Sequence, residues 1–331
     1  RRRRGLDREL AAGARQPAVT LDAVAVCVRA NLDLPEELVG AVQSGADGVG
    51  LMRTEFLIVG RSRMPTEDEQ TALYARIGAA FPGHDVVVRT YDIGGDKFPT
   101  VFRTPVDANP FLGWRAIRVC LDEPEIFRPQ IRAILRAATH TRIKLMIPLV
   151  TGVEELEQTR ELMEKEARSL RRAGVEAADS VPLGVMIETP AAAVLVDRFA
   201  AVADFLSVGS NDLTQYTLAV DRSNARLASR FDPHHPAVLR LLRDVAAVGA
   251  AAGREVSLCG EMASDPVSAF LLIGLGYRVL SVAAPSLPLV KWLVRDVSAA
   301  DAAAAAAVAL AARGSAEALA GLREALGARV D

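Results

Sequence analysis

Eight short apolar runs, separated by stretches of helical periodicity, recur between Val24 and Val282: Val24–Ala30, Gly48–Leu51, Val86–Arg89, Ile143–Pro148, Leu183–Ile187, Phe205–Val208, Val256–Leu258 and Val279–Val282. They are apolar on both alternations, a pattern that suits strands buried on two faces, as in parallel sheets covered by helices. The intervening segments carry helix signals. Pro35–Ser44 stops before Gly45, Thr66–Ala80 opens on the capping sequence Thr66-Glu67-Asp68-Glu69, and Gly152–Ala173 stops at Gly174. Pro190–Ala200 starts on a first-turn proline, Pro236–Ala252 ends at Gly253, Asp265-Pro266 opens another helix and Pro285–Arg295 forms the last of the series.

Eight strands alternating with helices predict an α/β fold, a (β/α)8 TIM barrel, and about 250 residues is the usual size of one. A doubly wound open sheet is the alternative, but no GxGxxG follows an early strand. The barrel is expected over residues 19–296. Residues 1–18 read as a linker or the end of a preceding helix, and 297–331 as a helical extension packed on the barrel. Within that extension Ala299–Ala312 is alanine-rich and reads as helix. Two long insertions, around Asp92–Pro124 and Asp221–His235, follow strands three and six and fall on the face of a barrel that carries chemistry.

The composition narrows the function class. The 331 residues are 50% hydrophobic and 24% charged, enough for a substantial core. Lys+Arg 39 against Asp+Glu 41 gives a net charge of -2, which argues against a generic nucleic-acid binder. The Arg1–Arg4 run reads as a solvated end. Cys27, Cys120 and Cys259 are widely spaced and form no CxxC pair, which predicts free thiols in a reducing cytoplasm. No apolar run reaches the roughly 18 residues of a membrane span.

Residues just past each barrel strand converge on one mouth. Here they are Arg53-Thr54-Glu55, Arg89-Thr90-Tyr91-Asp92, Glu188-Thr189-Pro190, Ser210-Asn211-Asp212 with Arg222 further on, and Cys259-Gly260-Glu261. Arg53 and Arg89 on adjacent strands, with Arg222 as a third, predict a site for a small, highly charged anion, because each guanidinium fork matches phosphate or carboxylate bidentately. Glu188 and Asp212 either neutralise those arginines or hold a hard divalent cation such as Mg²⁺. Cys259 is either a small buried hydrophobe or, beside an arginine cluster, an acid or base. Gly94-Gly95-Asp96-Lys97 is glycine-rich without being a GxxxxGK[ST] phosphate loop. His84, His140, His234 and His235 all fall in loop-like segments and read as structural or solvent-facing.

Several segments together resemble the phosphoenolpyruvate-utilising enzymes. They are Gly48–Phe56, Asp92–Lys97, Asn109–Arg118, Glu188–Ala193, Ser210–Tyr216, Ala219–Arg222 and Cys259–Glu261. Within that family the similarity, from about Val19 to Arg295, is greatest to the C-terminal, phosphoenolpyruvate-binding domain of the phosphoenolpyruvate–protein phosphotransferases (Enzyme I of the bacterial phosphotransferase system). Pyruvate phosphate dikinase and phosphoenolpyruvate synthase share the barrel and several motifs.

The resemblance implies roles. Arg53, Arg89, Asn211, Asp212 and Arg222 would contact the substrate, with the arginines on its phosphate and Asn211 on its carboxylate. Glu188 and Asp212 would hold Mg²⁺, and Cys259 would protonate the methylene carbon of enolpyruvate to give pyruvate. The phosphoryl group would pass to a histidine on a separate domain, and from there to a histidine phosphocarrier protein. None of the four histidines here has the Gly-rich, Thr-Ser-His-like context of that acceptor, so the chain reads as a fragment of a longer enzyme or a stand-alone relic. A homodimer is expected on the same grounds. The other candidates are a Mg²⁺-dependent carbon–carbon lyase on a related barrel, for which three arginines and Cys259 would be superfluous, and a non-catalytic sensing module, which needs no proton donor.

Overall fold

The structure, a computed structural model, describes residues 10, 12–94 and 108–327. Arg1–Arg4 and the Gly95-Asp96-Lys97 part of the glycine-rich segment lie outside the described residues. The strands are β1 (Cys27–Leu32), β2 (Val49–Met52), β3 (Val86–Arg89), β4 (Ile143–Ile147), β5 (Leu183–Ile187), β6 (Phe205–Val208), β7 (Glu255–Leu258) and β8 (Val279–Ala283). Each pairs in parallel with the next. β8 closes on β1 through Cys27 opposite Val279 to Asn31 opposite Ala283, which makes a closed barrel. Every residue of β2, β3, β5 and β6 is buried, as strands require when one face fills the barrel and the other meets helices.

The helices in chain order are α1 (Glu37–Gln43), α2 (Glu67–Ala80), α3 (Ile117–Asp122), α4 (Pro124–Ala137), α5 (Val153–Arg172), α6 (Pro190–Val194) and α7 (Val196–Val202). They continue with α8 (Ser210–Leu218), α9 (Pro236–Ala251), α10 (Pro266–Gly274), α11 (Leu287–Asp296), α12 (Ala299–Ala311) and α13 (Ser315–Leu326). The capping box expected at Thr66 is present. Glu69 N–H donates to Thr66 Oγ1 (3.2 Å) and Glu69 Oε2 accepts from Thr66 N–H (2.8 Å). The alanine-rich stretch is α12. Its buried Ala302, Ala305, Ala306 and Ala309 form one helical stripe, and a side chain at Gly274 would meet the Ala302 carbonyl, so α10 and α12 approach through small residues.

The barrel interior is layered. Leu51, Val87, Met146, Met186, Phe205 and Cys259 form a separate apolar cluster inside the strands. Gly184 makes room for it, because a Cβ there would lie 2.5 Å from the Phe205 ring. Toward the N-terminal end of the strands the filling is ionic. Arg29 bonds Glu255 (2.8 Å) and Asp85 (3.2 Å), and Lys144 bonds Asp85 (2.7 Å).

Several elements differ from expectation. β1 begins at Cys27, because Ala18–Val26 instead forms a tight antiparallel turn, with Val19 bridged to Ala25 and Ala23 in the left-handed region (φ 64°). The expected Pro190–Ala200 helix is broken at Leu195 into α6 and α7. The insertion after β3 ends in a helical pair, α3 and α4, with Pro124 in the first turn of α4. α8 precedes the loop at Asp221–His235 rather than the loop following β6 directly, and α13 follows α12.

Candidate active site

The barrel brings the strand-end residues together. A cleft of about 340 Å³ at the C-terminal ends of the strands is lined by Arg53, Arg89, Glu188, Asn211, Asp212, Arg222 and Cys259, all of the sequence-derived candidates. Its size suits a small organic acid. β2 delivers Arg53, β3 Arg89, β5 Glu188 and β7 Cys259, while Asn211 and Asp212 sit in the first turn of α8 immediately after β6. Arg222 returns from the loop beyond α8, its N–H donating to Gln215 Oε1 (3.1 Å).

Each arginine is held by carboxylates. Arg89 is buried and pairs with Glu55 (2.7 Å) and Asp92 (3.0 Å). Arg53 pairs with Asp33 (3.1 Å), and Arg222 lies 3.5 Å from Asp212. The Nε groups of Arg53 and Arg89 are buried without a hydrogen-bond partner. An unpaired buried guanidinium N–H carries a desolvation cost that an anionic ligand would offset.

Sequence reasoning assigned no role to Glu55, Asp92 or Arg115. Arg115 lines the cleft, donates to Asp92 Oδ1 (2.6 Å), approaches Asp212 (3.9 Å) and lies over the Phe111 ring at 5.7 Å. It reaches the site because Gly94 bridges to it across the insertion, a pairing that strand ends do not reveal. Glu55 and Asp92 carried one usable signal: two arginines brought to one barrel mouth need counter-ions close by. Glu55 Oε1 also accepts the Asp92 N–H (3.0 Å), which ties the two strand ends together.

The carboxylates divide by environment. Burial pushes Asp92 up, but the charges of Arg89 and Arg115 outweigh it and hold the group below its ordinary value. Glu188 goes the other way. Burial, with the charges of Asp212 and Asp92, raises it to about 8, against the pull of Arg89 and the Leu149 N–H. Glu188 Oε1 accepts that N–H at 2.6 Å. Two crowded, desolvated carboxylates are a hard-oxygen donor set, and a divalent cation would relieve their repulsion. Among the described residues no group of three or more His, Cys, Asp or Glu gathers as a metal cage. A cation here would therefore take further ligands from substrate and water, the habit of Mg²⁺.

Cys259 lies on the cleft floor, 3% exposed, with Ser207 Oγ donating to its sulfur at 3.4 Å. Burial pushes its thiol above the ordinary value despite the Ser207 bond, so the group stays protonated at neutral pH. Asn211 is engaged at both ends of its carboxamide by Glu261, donating to Oε1 (3.0 Å) and accepting from N–H (3.1 Å). The histidines lie elsewhere. His84 and His140 are exposed, His235 caps α9, and His234 is partly buried against Ser268 (3.0 Å). Cys27 and Cys120 do not line the cleft.

Residues 7–299 match the family described as PEP-utilising enzyme, PEP-binding domain. The chain is 45% identical over 281 residues to the phosphoenolpyruvate-protein phosphotransferase of Staphylococcus carnosus (strain TM300), covering 85% of this chain and 49% of that protein. It is 45% identical over 272 residues to the protein of the same name from Bacillus sp. (strain S), covering 82% and 47%. The chain thus spans about half the length of the curated relatives it matches. Among solved structures, a citrate lyase from Burkholderia xenovorans LB400 superposes with a TM-score of 0.51 at 19% identity, covering 91% of each chain, a likeness of fold.

Proposed function

The chain belongs to the phosphoenolpyruvate-utilising enzymes, through their phosphoenolpyruvate-binding domain, and from that premise we propose that its cleft binds phosphoenolpyruvate for Mg²⁺-dependent phosphoryl transfer to a histidine on a separate domain, with release of pyruvate. The observation that carries this reading is the meeting of Arg53, Arg89, Arg222, Glu188, Asn211, Asp212 and Cys259 around one small cleft.

Arg53, Arg89 and Arg222 clamp the phosphoryl oxygens, and the unpaired Nε groups of the first two supply donors already desolvated. Asn211 turns its carboxamide from Glu261 to the substrate carboxylate, aided by neighbouring backbone N–H groups. Glu188 and Asp212 would hold Mg²⁺, which supplies charge neutralisation at the phosphate and carboxylate oxygens. As the phosphorus–oxygen bond breaks toward the acceptor histidine nitrogen, its electron pair stays on oxygen as the enolate. The enolate methylene carbon then takes the proton of the Cys259 thiol, giving pyruvate, and the thiolate regains a proton from solvent. A thiol kept neutral by burial suits that donation.

In domain terms the barrel is residues 19–296, with 1–18 as a linker or the end of a preceding helix and 297–331 as a helical extension. The histidine domain, and through it a histidine phosphocarrier protein, are the partners, and the chain pairs with a second copy. The three free cysteines suit a reducing cytoplasm, and no described helix is long and apolar enough to cross a membrane. Isothermal titration with phosphoenolpyruvate, with and without Mg²⁺, tests the reading. Metal-dependent binding that Arg53→Ala abolishes is expected, and binding indifferent to both overturns it.

A further inference from the structure

Behind the cleft, one buried carboxamide joins the two strand ends that carry Arg53 and Arg89. Gln130, on α4, is fully buried. Its Oε1 accepts the N–H of Tyr91 (3.3 Å), two residues past Arg89. Its Nε2 donates to the hydroxyl of Thr54 (3.2 Å), the residue after Arg53, and to that of Tyr74 on α2 (3.3 Å). Thr54 in turn donates to the Arg89 carbonyl (2.9 Å). Tyr74 and Tyr91 both donate to Gln70 Oε1 (3.0 and 2.8 Å), and Gln70 Nε2 donates to the Pro65 carbonyl (3.3 Å).

The direction of these bonds is determined by chemistry. The Thr54 hydroxyl proton is spent on a carbonyl, and the Tyr74 proton on an amide oxygen, so each can only accept from the side chain between them. The backbone N–H of Tyr91 can only donate. The central group must offer two donors and an acceptor, which a primary carboxamide does and a carboxylate, hydroxyl or thioether does not. None of Thr54, Gln70, Tyr74, Tyr91 and Gln130 leaves a buried side-chain polar atom unpaired. A buried network satisfied throughout is rigid, and one broken at a single member is costly. Apolar side chains would pack α4 on the strands without that exposure to failure. The network instead reaches the Arg89 carbonyl, the Tyr91 N–H two residues further on and the side chain of Thr54, the residue after Arg53.

We propose that Gln130 is a positioning residue that sets the spacing and aim of Arg53 and Arg89 for the phosphoryl group. The proposal rests on the phosphoenolpyruvate reading above. Displacing a binding group by about 1 Å can cost about a hundredfold in rate, so the brace is expected to show in ligand recognition as well as in stability.

The test compares two ligands on the full chain with Mg²⁺: phosphoenolpyruvate, and oxalate, a planar dicarboxylate that resembles enolpyruvate without a phosphoryl group. Gln130→Met is expected to weaken phosphoenolpyruvate about tenfold to a hundredfold while oxalate changes less than about twofold, because the arginines serve only the former. Should Gln130→Met not fold, Thr54→Val and Thr54→Ser decide. The valine keeps the shape and loses both bonds, and the serine restores them, so selective loss and recovery are expected. Equal weakening of both ligands, or of neither, overturns the proposal. A wild-type chain that binds oxalate but not phosphoenolpyruvate overturns the phosphoenolpyruvate reading, and the proposal with it.

Discussion

Ser207 Oγ donates to Cys259 Sγ at 3.4 Å, from β6 to the residue that follows β7, beneath the floor of the cleft. The thiol also lies 3.5 Å from the Val208 carbonyl, so its position is bounded by the neighbouring strand. Replacing Cys259 by alanine should leave phosphoenolpyruvate affinity nearly unchanged and lower pyruvate formation by about 10²–10⁴-fold, the usual contribution of a general acid. Titration of the chain and a pyruvate assay with the histidine domain supplied check the two halves. A matching loss in affinity would remove Cys259 from the proton-donor role.

The pH profile follows from the same thiol. Burial places its folded value above the ordinary 9.0, with Ser207 opposing. The protonated form is the acid, so pyruvate formation should not fall through a thiol ionisation until the pH passes that value. Ser207→Ala removes the opposing bond and should move the alkaline limb further up. Thiolate absorbance followed against pH reads the ionisation directly, and a limb below the ordinary thiol value would contradict the assignment.

Arg115 bridges Asp92 and approaches Asp212. Arg115→Met leaves both carboxylates less compensated beside Glu188, and phosphoenolpyruvate affinity should fall by about tenfold, on the order of one charge-assisted hydrogen bond. Arg115→Lys should recover only part, since a point charge cannot reproduce the fork. Titration of the two variants against wild type gives the ranking.

The ionic filling of the barrel sets acid stability. Burial pushes Asp85 and Glu255 up, but bonds from Lys144 and Arg29 respectively outweigh it, so both are held below their ordinary values in the folded state. Their stabilisation is therefore complete above the ordinary carboxylate range near pH ~4 and is lost as pH falls through the lower folded values. Arg29→Met should cost about 3 kcal/mol near neutral pH and shrink the acid-dependent loss, because Glu255 and Asp85 lose a charge that holds their folded values down. Denaturant titrations at several pH values measure both.

Gly184 faces Phe205 so closely that a methyl group would enter the ring's space. Gly184→Ala should destabilise by about 1–3 kcal/mol, the range for overpacking. Phe205→Leu in the same chain should recover part of that loss, and thermal unfolding of the single and double variants closes the cycle.

Glycine and arginine in this chain show how differently local and distant information are written. The runs at Val86–Arg89, Leu183–Ile187 and Phe205–Val208 read as doubly buried strands and are strands with the same bounds. A parallel barrel then brings every strand end to one mouth, and Arg53, Arg89, Glu188, Asn211, Asp212 and Cys259 were legible as neighbours for that reason. Only tertiary structure decided that Arg89 would share Asp92 with Arg115, that Arg29 would plug the barrel with Glu255, and that Gln130 would bridge Thr54 and Tyr91. Hydrophobic periodicity is a property of adjacent residues and survives in the sequence. Ion pairs and hydrogen bonds between residues far apart along the chain come into being when the barrel closes, through short-range geometry that no local pattern records.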